Sequence, residues 1–329
     1  MTLKKHEIQV PEENVSKLLN KLNEEIQTYE RLDDDKSFCN PIYSITSKSG
    51  REYILKVINP LDKWKKKKTI NEVFTIKLIE QKTNVPVPKI YDYSSECDEI
   101  GFEYILMEKI EGNNLTEKFS QDKMNYLKQI ANFVEEFQKI KFNKIGSLNE
   151  KYEVVEDLDI GAGPFNYFKE WAQATIQRRL IDLEKTKFKH YAPRFNEYSK
   201  LIDDVSLPIV FCHSDLELKN FIERNGKIVG LIDFEWAGAY PYIQDISSFE
   251  YDYKLNKEEL EEFQKILDEK NITYKMPNEV KDTKRIKSLA MVLCSYEDWF
   301  VGKEKEAEEF IKGQEEYLIK LFEKYNLKK

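Results

Sequence analysis

The run His213-Ser-Asp215-Leu-Glu-Leu-Lys-Asn220, followed by Leu231-Ile-Asp233-Phe-Glu235, constrains this chain more than any other feature. Asn220 stands five residues after Asp215, and Asp233 thirteen after Asn220, a spacing that suits a tight loop leading into a hairpin. Phe221 and Ile222 open one strand, Glu223-Arg-Asn225-Gly226 make the turn, and Lys227 to Ile232 return, which delivers Asp233 beside Asn220. The residue types fit one chemistry. Asp215 can accept a proton from a hydroxyl, while Asn220 and Asp233 offer oxygen ligands suited to holding Mg²⁺ against a nucleoside triphosphate. His213 is expected to orient the loop through hydrogen bonds rather than to react.

A second set of residues lies far upstream. Lys56 sits in the apolar strand Tyr53-Ile-Leu-Lys56-Val-Ile, where an isolated ammonium is costly without anionic partners. Triphosphate oxygens are such partners, and Glu72, on the helix that follows, is placed to pair with Lys56 and hold it toward them. Glu80, on the same helix but close to the Pro86 turn, is the poorer alternative. Ser37-Phe-Cys-Asn40 precedes the next strand in the position of a phosphate-covering loop. It has no glycine, so Ser37, Asn40 and backbone amides must serve without the close approach glycine permits. Met107, Glu108 and Ile110 follow a predicted strand, and the Glu108 carbonyl and Ile110 amide are expected to read a purine edge.

The chain reads as α+β. Up to about residue 110 it alternates strand-like runs, at 26–31, 41–47, 52–58, 89–94 and 102–107, with a polar helix and one main helix carrying Val73, Ile76, Leu78 and Ile79. Asn84-Val-Pro86-Val-Pro88 ends that helix, because proline lacks an amide hydrogen and biases its predecessor away from helix. Beyond residue 111 the pattern is mostly helical, with helices expected near 165–184, 257–271 and 283–325, the last broken near Gly302.

Composition excludes several classes. With 329 residues, 41% of them hydrophobic, the chain can bury a substantial core. A net charge of -8 argues against general affinity for nucleic acid or an anionic membrane. The one basic island, Lys63 to Lys68, reads as a solvated face. Cys39, Cys97, Cys212 and Cys294 form no Cys-x-x-Cys pair, which argues for reduced thiols rather than a zinc site or a disulfide framework. No apolar stretch resembles a signal peptide or a membrane span, so a cytoplasmic location is expected.

Taken with Leu106-Met-Glu-Lys-Ile-Glu-Gly112 and Gly163-Pro164-Phe165, these motifs resemble the aminoglycoside phosphotransferase family, which shares the protein-kinase fold. The Val-Pro-Val-Pro segment and the Asp-x-Glu at Asp233 point to this branch. The resemblance implies a two-lobed protein-kinase-like fold, with residues 1–110 as a nucleotide-binding N-terminal lobe and 111–329 as a helical catalytic and acceptor-binding lobe. It implies Asp215 as catalytic base, Asn220 and Asp233 as magnesium ligands, and Lys56 with Glu72 as the triphosphate pair. Glu217 stands where a protein kinase carries the lysine that contacts the transferred phosphate, which disfavours a protein kinase. Tyr240-Pro-Tyr-Ile-Gln-Asp245 resembles a family segment in which Asp245 is a structural anchor.

The implied reaction moves the γ-phosphoryl group of ATP or GTP to a hydroxyl of a small molecule. From Asp233 onward there are 22 acidic and 16 basic residues, which favours a cationic, aminoglycoside-like acceptor. Glu250, Asp252, Glu297 and Asp298 are the candidate acceptor contacts, their alternative being a solvated helix surface. Kinases of choline, ethanolamine, homoserine, sugars or macrolides use the same core, and a nucleotide-binding pseudokinase is the rival outside the enzyme class.

Overall fold

The computed structural model describes residues 8–32, 40–59, 65–247, 249–272, 276–299 and 304–327, leaving out the side chains of 65, 66, 297–299 and 304. In chain order the elements of the first half are α1 (Glu12–Lys21), β1 (Ile26–Arg31), β2 (Ile42–Ser47), β3 (Glu52–Val57), α2 (Lys65–Lys82), β4 (Ile90–Ser94), β5 (Tyr104–Glu108), β6 (Asn113–Asn114) and α3 (Lys123–Gln138). They continue with α4 (Phe168–Leu183), α5 (Ala192–Leu201), β7 (Ile209–Cys212), β8 (Phe221–Arg224), β9 (Lys227–Leu231) and β10 (Gly238–Pro241). The last are α6 (Ile243–Ile246), α7 (Phe249–Asp252), α8 (Lys257–Glu269), α9 (Asn278–Trp299) and α10 (Glu304–Lys324).

Two compact units divide the chain. The first gathers the described residues of Met1–Ile140, Ser147–Glu153 and His213–Gly238. Its sheet runs β1-β2-β3-β5-β4, with each neighbouring pair antiparallel. Alternation along β3 sorts its side chains between two faces. Tyr53, Leu55 and Val57 join a core with Val15, Leu18 and Leu19 of α1, while Ile54 packs on the cluster of Val73, Ile105 and Met107. Lys56 has the parity of Ile54, so the pleat turns its ammonium toward the α2 side. The pro-rich exit of α2 is fixed at both ends: Val85 donates its amide to Thr83 Oγ1, and Leu231 of β9 donates to the Pro86 carbonyl.

β6, β8 and β9 form a second small sheet in this unit. The turn between β8 and β9 is shorter than the sequence suggests. Arg224 pairs with Lys227, leaving Asn225 and Gly226 as a two-residue loop, both at positive φ, 53° and 79°. That is the conformation Asn-Gly favours in tight hairpins, and it carries the expected return strand straight to Asp233.

The second unit comprises the described residues of Lys141–Gly146, Val154–Cys212 and Ala239–Lys329. α4 packs against α5 and α9, and α9 against α10. The helix expected near 165–184 begins at Phe168, with buried Phe168, Trp171, Ile176 and Leu180 facing its neighbours. The late helix expected over 283–325 with a break near Gly302 is the pair α9 and α10, α9 starting five residues earlier, and the segment around Gly302 itself lies outside the described residues. α5 was not expected, and β7 and β10, four residues each, are too short for periodicity to show them. Asp245 is 2% exposed, buried as an anchor would be. Among the described residues no helix is long and apolar enough to cross a membrane, and Cys97, Cys212 and Cys294 form no disulfide.

Candidate active site

The candidate site lies within the first unit and is assembled from β3, α2 and the segment that brackets the β8–β9 hairpin. Lys56 Nζ is 2.7 Å and 3.0 Å from the two Glu72 carboxylate oxygens and 2.8 Å from Asp233 Oδ1. Glu235 Oε2 stands 3.7 Å from the same ammonium. Burial works against the Lys56 charge, but Asp233, Glu72 and Glu235 outweigh it and lift its pKa well above that of a free lysine. Burial also opposes the charge on Asp233, yet Lys56 holds that carboxyl below its usual range. For Glu72 burial wins. Lys56 offsets it only in part and the neighbouring Asp233 and Glu235 add to it, so the pKa rises to about 7.

Glu235, quoted in the sequence motif without a role, closes the cluster. Its Oε1 is 3.5 Å from Lys68 Nζ and its Oε2 accepts from Asn40 Nδ2 at 3.3 Å. Lys68 overturns the solvated-face reading of the basic run at that position. It is 4% exposed and its ammonium lies 4.0 Å from the centroid of the Trp236 ring, an arrangement that offsets desolvation of the charge. The signal was present in the sequence as an aromatic directly after Asp-x-Glu, but nothing local linked it to Lys68. Asn71 completes the frame, donating to the carbonyls of Glu235 and Ala237 at 3.3 Å and 2.8 Å. Glu80, the alternative partner for Lys56, is exposed.

The loop before the hairpin is held from within. His213 is fully buried, and its Nδ1 accepts the Asp215 amide at 3.2 Å while Nε2 faces the Ile232 carbonyl at 3.0 Å. These partners assign the proton to Nε2 and leave the ring neutral, an orienting role rather than a reactive one. Asn220 Nδ2 donates to the Asp215 carbonyl at 2.8 Å and to Asp215 Oδ2 at 3.0 Å. Burial pushes the Asp215 carboxyl up, Lys219 partly offsets this, and Glu217 and Asp233 add to it. Ser214 and Asp233 both adopt positive φ, 69° and 66°, a conformation that costs a non-glycine residue and that concentrates at functional sites.

The donor set suits a hard divalent cation. Glu72, Asp233 and Glu235 each bring a carboxylate oxygen within 4.8 Å of the others. With the Asn220 amide nitrogen committed to Asp215, its amide oxygen has no hydrogen-bond partner among the described residues. All-oxygen ligation of this kind fits Mg²⁺.

Of the other expected positions, Asn40 also accepts the Asn59 amide at 3.0 Å, and Ser37 lies outside the described residues. Met107 is buried in β5. Glu108 and Ile110 border a cavity of 370 Å³ that Val87, Glu111, Arg224 and Val229 also line. In the second unit Glu250 is ion-paired with Lys281 at 3.7 Å and Asp252 shares its short helix. The side chains of Glu297 and Asp298 lie outside the described residues.

Comparison with known proteins places this geometry. Over 135 residues the chain is 29% and 28% identical to two subtelomeric hrmA-associated cluster proteins of Aspergillus fumigatus, matches that cover 37% of this chain and 26% of each relative. The chain thus spans about a quarter of the length of those relatives. Its fold is similar to a macrolide 2′-phosphotransferase type I, with a TM-score of 0.63 at 10% identity over 94% of this chain and 98% of that one. It is similar also to APH(2″)-IIa in complex with gentamicin, with a TM-score of 0.61 at 14% identity over 95% and 97% of the two chains. A thermostable APH(4)-Ia mutant in ternary complex with ADP and hygromycin B gives 0.62 at 13% identity over 93% and 98%. These likenesses bear out the protein-kinase-like α+β fold. The model of the phosphotransferase enzyme family matches residues 34–267, a stretch that holds Lys56, Glu72, Asp215, Asn220 and Asp233, and the chain belongs to that family.

Proposed function

We propose that this phosphotransferase moves the γ-phosphoryl group of ATP or GTP to a hydroxyl of a small molecule. The observation that carries the reading is the convergence of Lys56, Glu72 and Asp233 in one compact unit with the Asp215–Asn220 loop. Lys56, steered by Glu72, binds triphosphate oxygens, and the backbone of Glu108 and Ile110 reads the purine edge within a nucleotide-binding region spanning residues 1–110. Asp233 and Asn220 hold Mg²⁺, which when bound neutralises phosphate charge. Asp215, oriented by His213 and Asn220, takes the proton of the acceptor hydroxyl. Little covalent chemistry falls to the protein, so positioning and charge neutralisation supply most of the rate.

The favoured acceptor is cationic and aminoglycoside-like. It is supported by the acidic excess after Asp233, 22 against 16, and by the gentamicin and hygromycin B bound to two structural neighbours. The ion pair between Glu250 and Lys281 favours a second reading, because a carboxylate already paired has less to offer a cation. A neutral metabolite alcohol would suit that arrangement. A coupled nucleotide-turnover screen over aminoglycosides, macrolides and small alcohols separates the two. Turnover on aminoglycosides alone supports the first reading, turnover on small alcohols alone the second, and no turnover on any member would favour a nucleotide-binding interaction module.

A further inference from the structure

We propose that Lys219 is a catalytic residue, the cation that meets the phosphoryl group in flight beside Asp215. The inference rests on the phosphotransferase reading above and adds to it a residue that spacing alone did not single out. Glu217 occupies the place where protein kinases carry a lysine for the transferred phosphate, so that charge is missing at that position. Lys219 supplies it from two positions later. Its Nζ is 3.9 Å from Asp215 Oδ2 and 2.7 Å from Glu217 Oε2.

The local backbone explains how a lysine on a surface loop is aimed. Residues Leu218–Asn220 form one tight 3-10 turn, closed by the Asn220 amide donating to the Glu217 carbonyl at 2.9 Å. Asn114 Nδ2 donates to the Lys219 carbonyl at 2.5 Å and pins the turn. The backbone of Lys219 is thereby held, while its side chain is 55% exposed. Glu217, 49% exposed, holds the Lys219 ammonium near the base until a stronger anion arrives.

The two oxygens of Asp215 divide the work. Oδ2 accepts from Asn220 and faces Lys219, whereas Oδ1 has no hydrogen-bond partner among the described residues. In the transfer, the acceptor hydroxyl proton passes to Asp215 Oδ1 and the acceptor oxygen forms the new bond to the γ-phosphorus. The bond from that phosphorus to the bridging oxygen breaks, its electron pair leaving with the nucleoside diphosphate. Charge spreads over the three equatorial oxygens as this happens. An ammonium within 4 Å of the base oxygen is placed to meet them, and a positive charge there stabilises the transition state more than the ground state.

The test is calorimetric titration of the full chain with MgADP, with and without aluminium fluoride, which mimics the planar phosphoryl group. Lys219→Met should bind MgADP within about two-fold of wild type but lose about 10²-fold or more in affinity for the fluoroaluminate complex. Lys219→Arg should recover most of that loss. The inference is overturned if Lys219→Met binds the fluoroaluminate complex as wild type does, or if it loses MgADP and the complex equally, which would mark a structural role. A wild-type chain that binds neither MgADP nor, in the same titration, MgGDP would sink the phosphotransferase reading, and this inference with it.

Discussion

Lys56 and Asp233, 177 residues apart in sequence, meet with Nζ 2.8 Å from Oδ1, while Glu72 holds the same ammonium at 2.7 Å from the opposite helix. The β3 pleat brings Lys56 to this face, and the β8–β9 hairpin brings Asp233. Three carboxylates, those of Glu72, Asp233 and Glu235, surround two ammoniums, Lys56 and Lys68. The cluster therefore carries one surplus negative charge, which protonation of Glu72 would balance and a divalent cation would more than offset.

Lys56→Met tests that balance through stability. Removing the ammonium leaves Glu72 and Glu235 buried without their main counter-charge, a loss typically of about 3 to 5 kcal/mol when one partner of a buried pair is deleted. Burial pushes the Glu72 carboxyl up to about 7 even with Lys56 opposing it, and deleting Lys56 removes that opposition, so the folded variant binds more protons than the unfolded chain above the pKa of an unfolded glutamate. Its stability should consequently rise as pH falls from 8 toward 5. Chemical denaturation at both pH values checks this, and a variant less stable at pH 5 than at pH 8 would contradict it.

Asp215→Asn should abolish phosphoryl transfer, with a cost of about 10² to 10⁴ in rate, while leaving nucleotide affinity within a few fold. In the wild type the base must be ionised to work. Because burial raises the Asp215 pKa, the acid limb of kcat/KM should fall at a pH above that of an ordinary aspartate, which titrates at about 3.9. A pH–rate profile flat down to pH 4, or wild-type turnover by the asparagine variant, would remove Asp215 from this role.

Asp233→Ala should eliminate Mg²⁺-dependent nucleotide binding, and Asn220→Ala should weaken it less. The carboxylate supplies charge that the amide lacks. Asn220→Ala should cost turnover more than binding, because the amide also steadies Asp215 through Oδ2. Nucleotide titrations with and without Mg²⁺ would separate the two variants. Metal dependence of nucleotide binding unchanged from wild type in Asp233→Ala would show that Asp233 does not carry the ion.

How much of this was legible in the sequence depends on how local the cause is. Asp215, Asn220 and the β8–β9 hairpin were readable because their geometry is set within about two dozen residues, and Asn-Gly dictates its own turn. The pairing of Lys56 with Glu72 was readable as a strand-to-helix neighbour. Lys68 was misread, since its burial depends on Trp236 and Glu235, which are remote in sequence. β7 escaped because a strand this short carries too few apolar repeats to fix a period. Lys219 was visible as a residue, but its nearness to Asp215 Oδ2 comes from the 3-10 turn, which no spacing rule forecast.

The acceptor is open to a charge test through the ion pair of Glu250 with Lys281. Lys281 sits 3.7 Å from Glu250, and burial pushes the Lys281 pKa down while Glu250 pulls it back up. If a cationic acceptor depends on Glu250, Lys281→Met should free that carboxylate and lower the acceptor KM, whereas Glu250→Gln should raise it. Each change should be modest, about two- to five-fold, because a half-exposed pair is worth roughly 0.5 to 1 kcal/mol. Raising ionic strength should increase the acceptor KM in the wild type and narrow the gap between the variants, since screening at ordinary salt confines surface charge to about 8 to 10 Å. Nucleotide KM should change less, because its contacts with Lys56 are buried. An acceptor KM indifferent to salt and to both substitutions would leave the phosphoryl-transfer core in place and point to a neutral alcohol as the substrate.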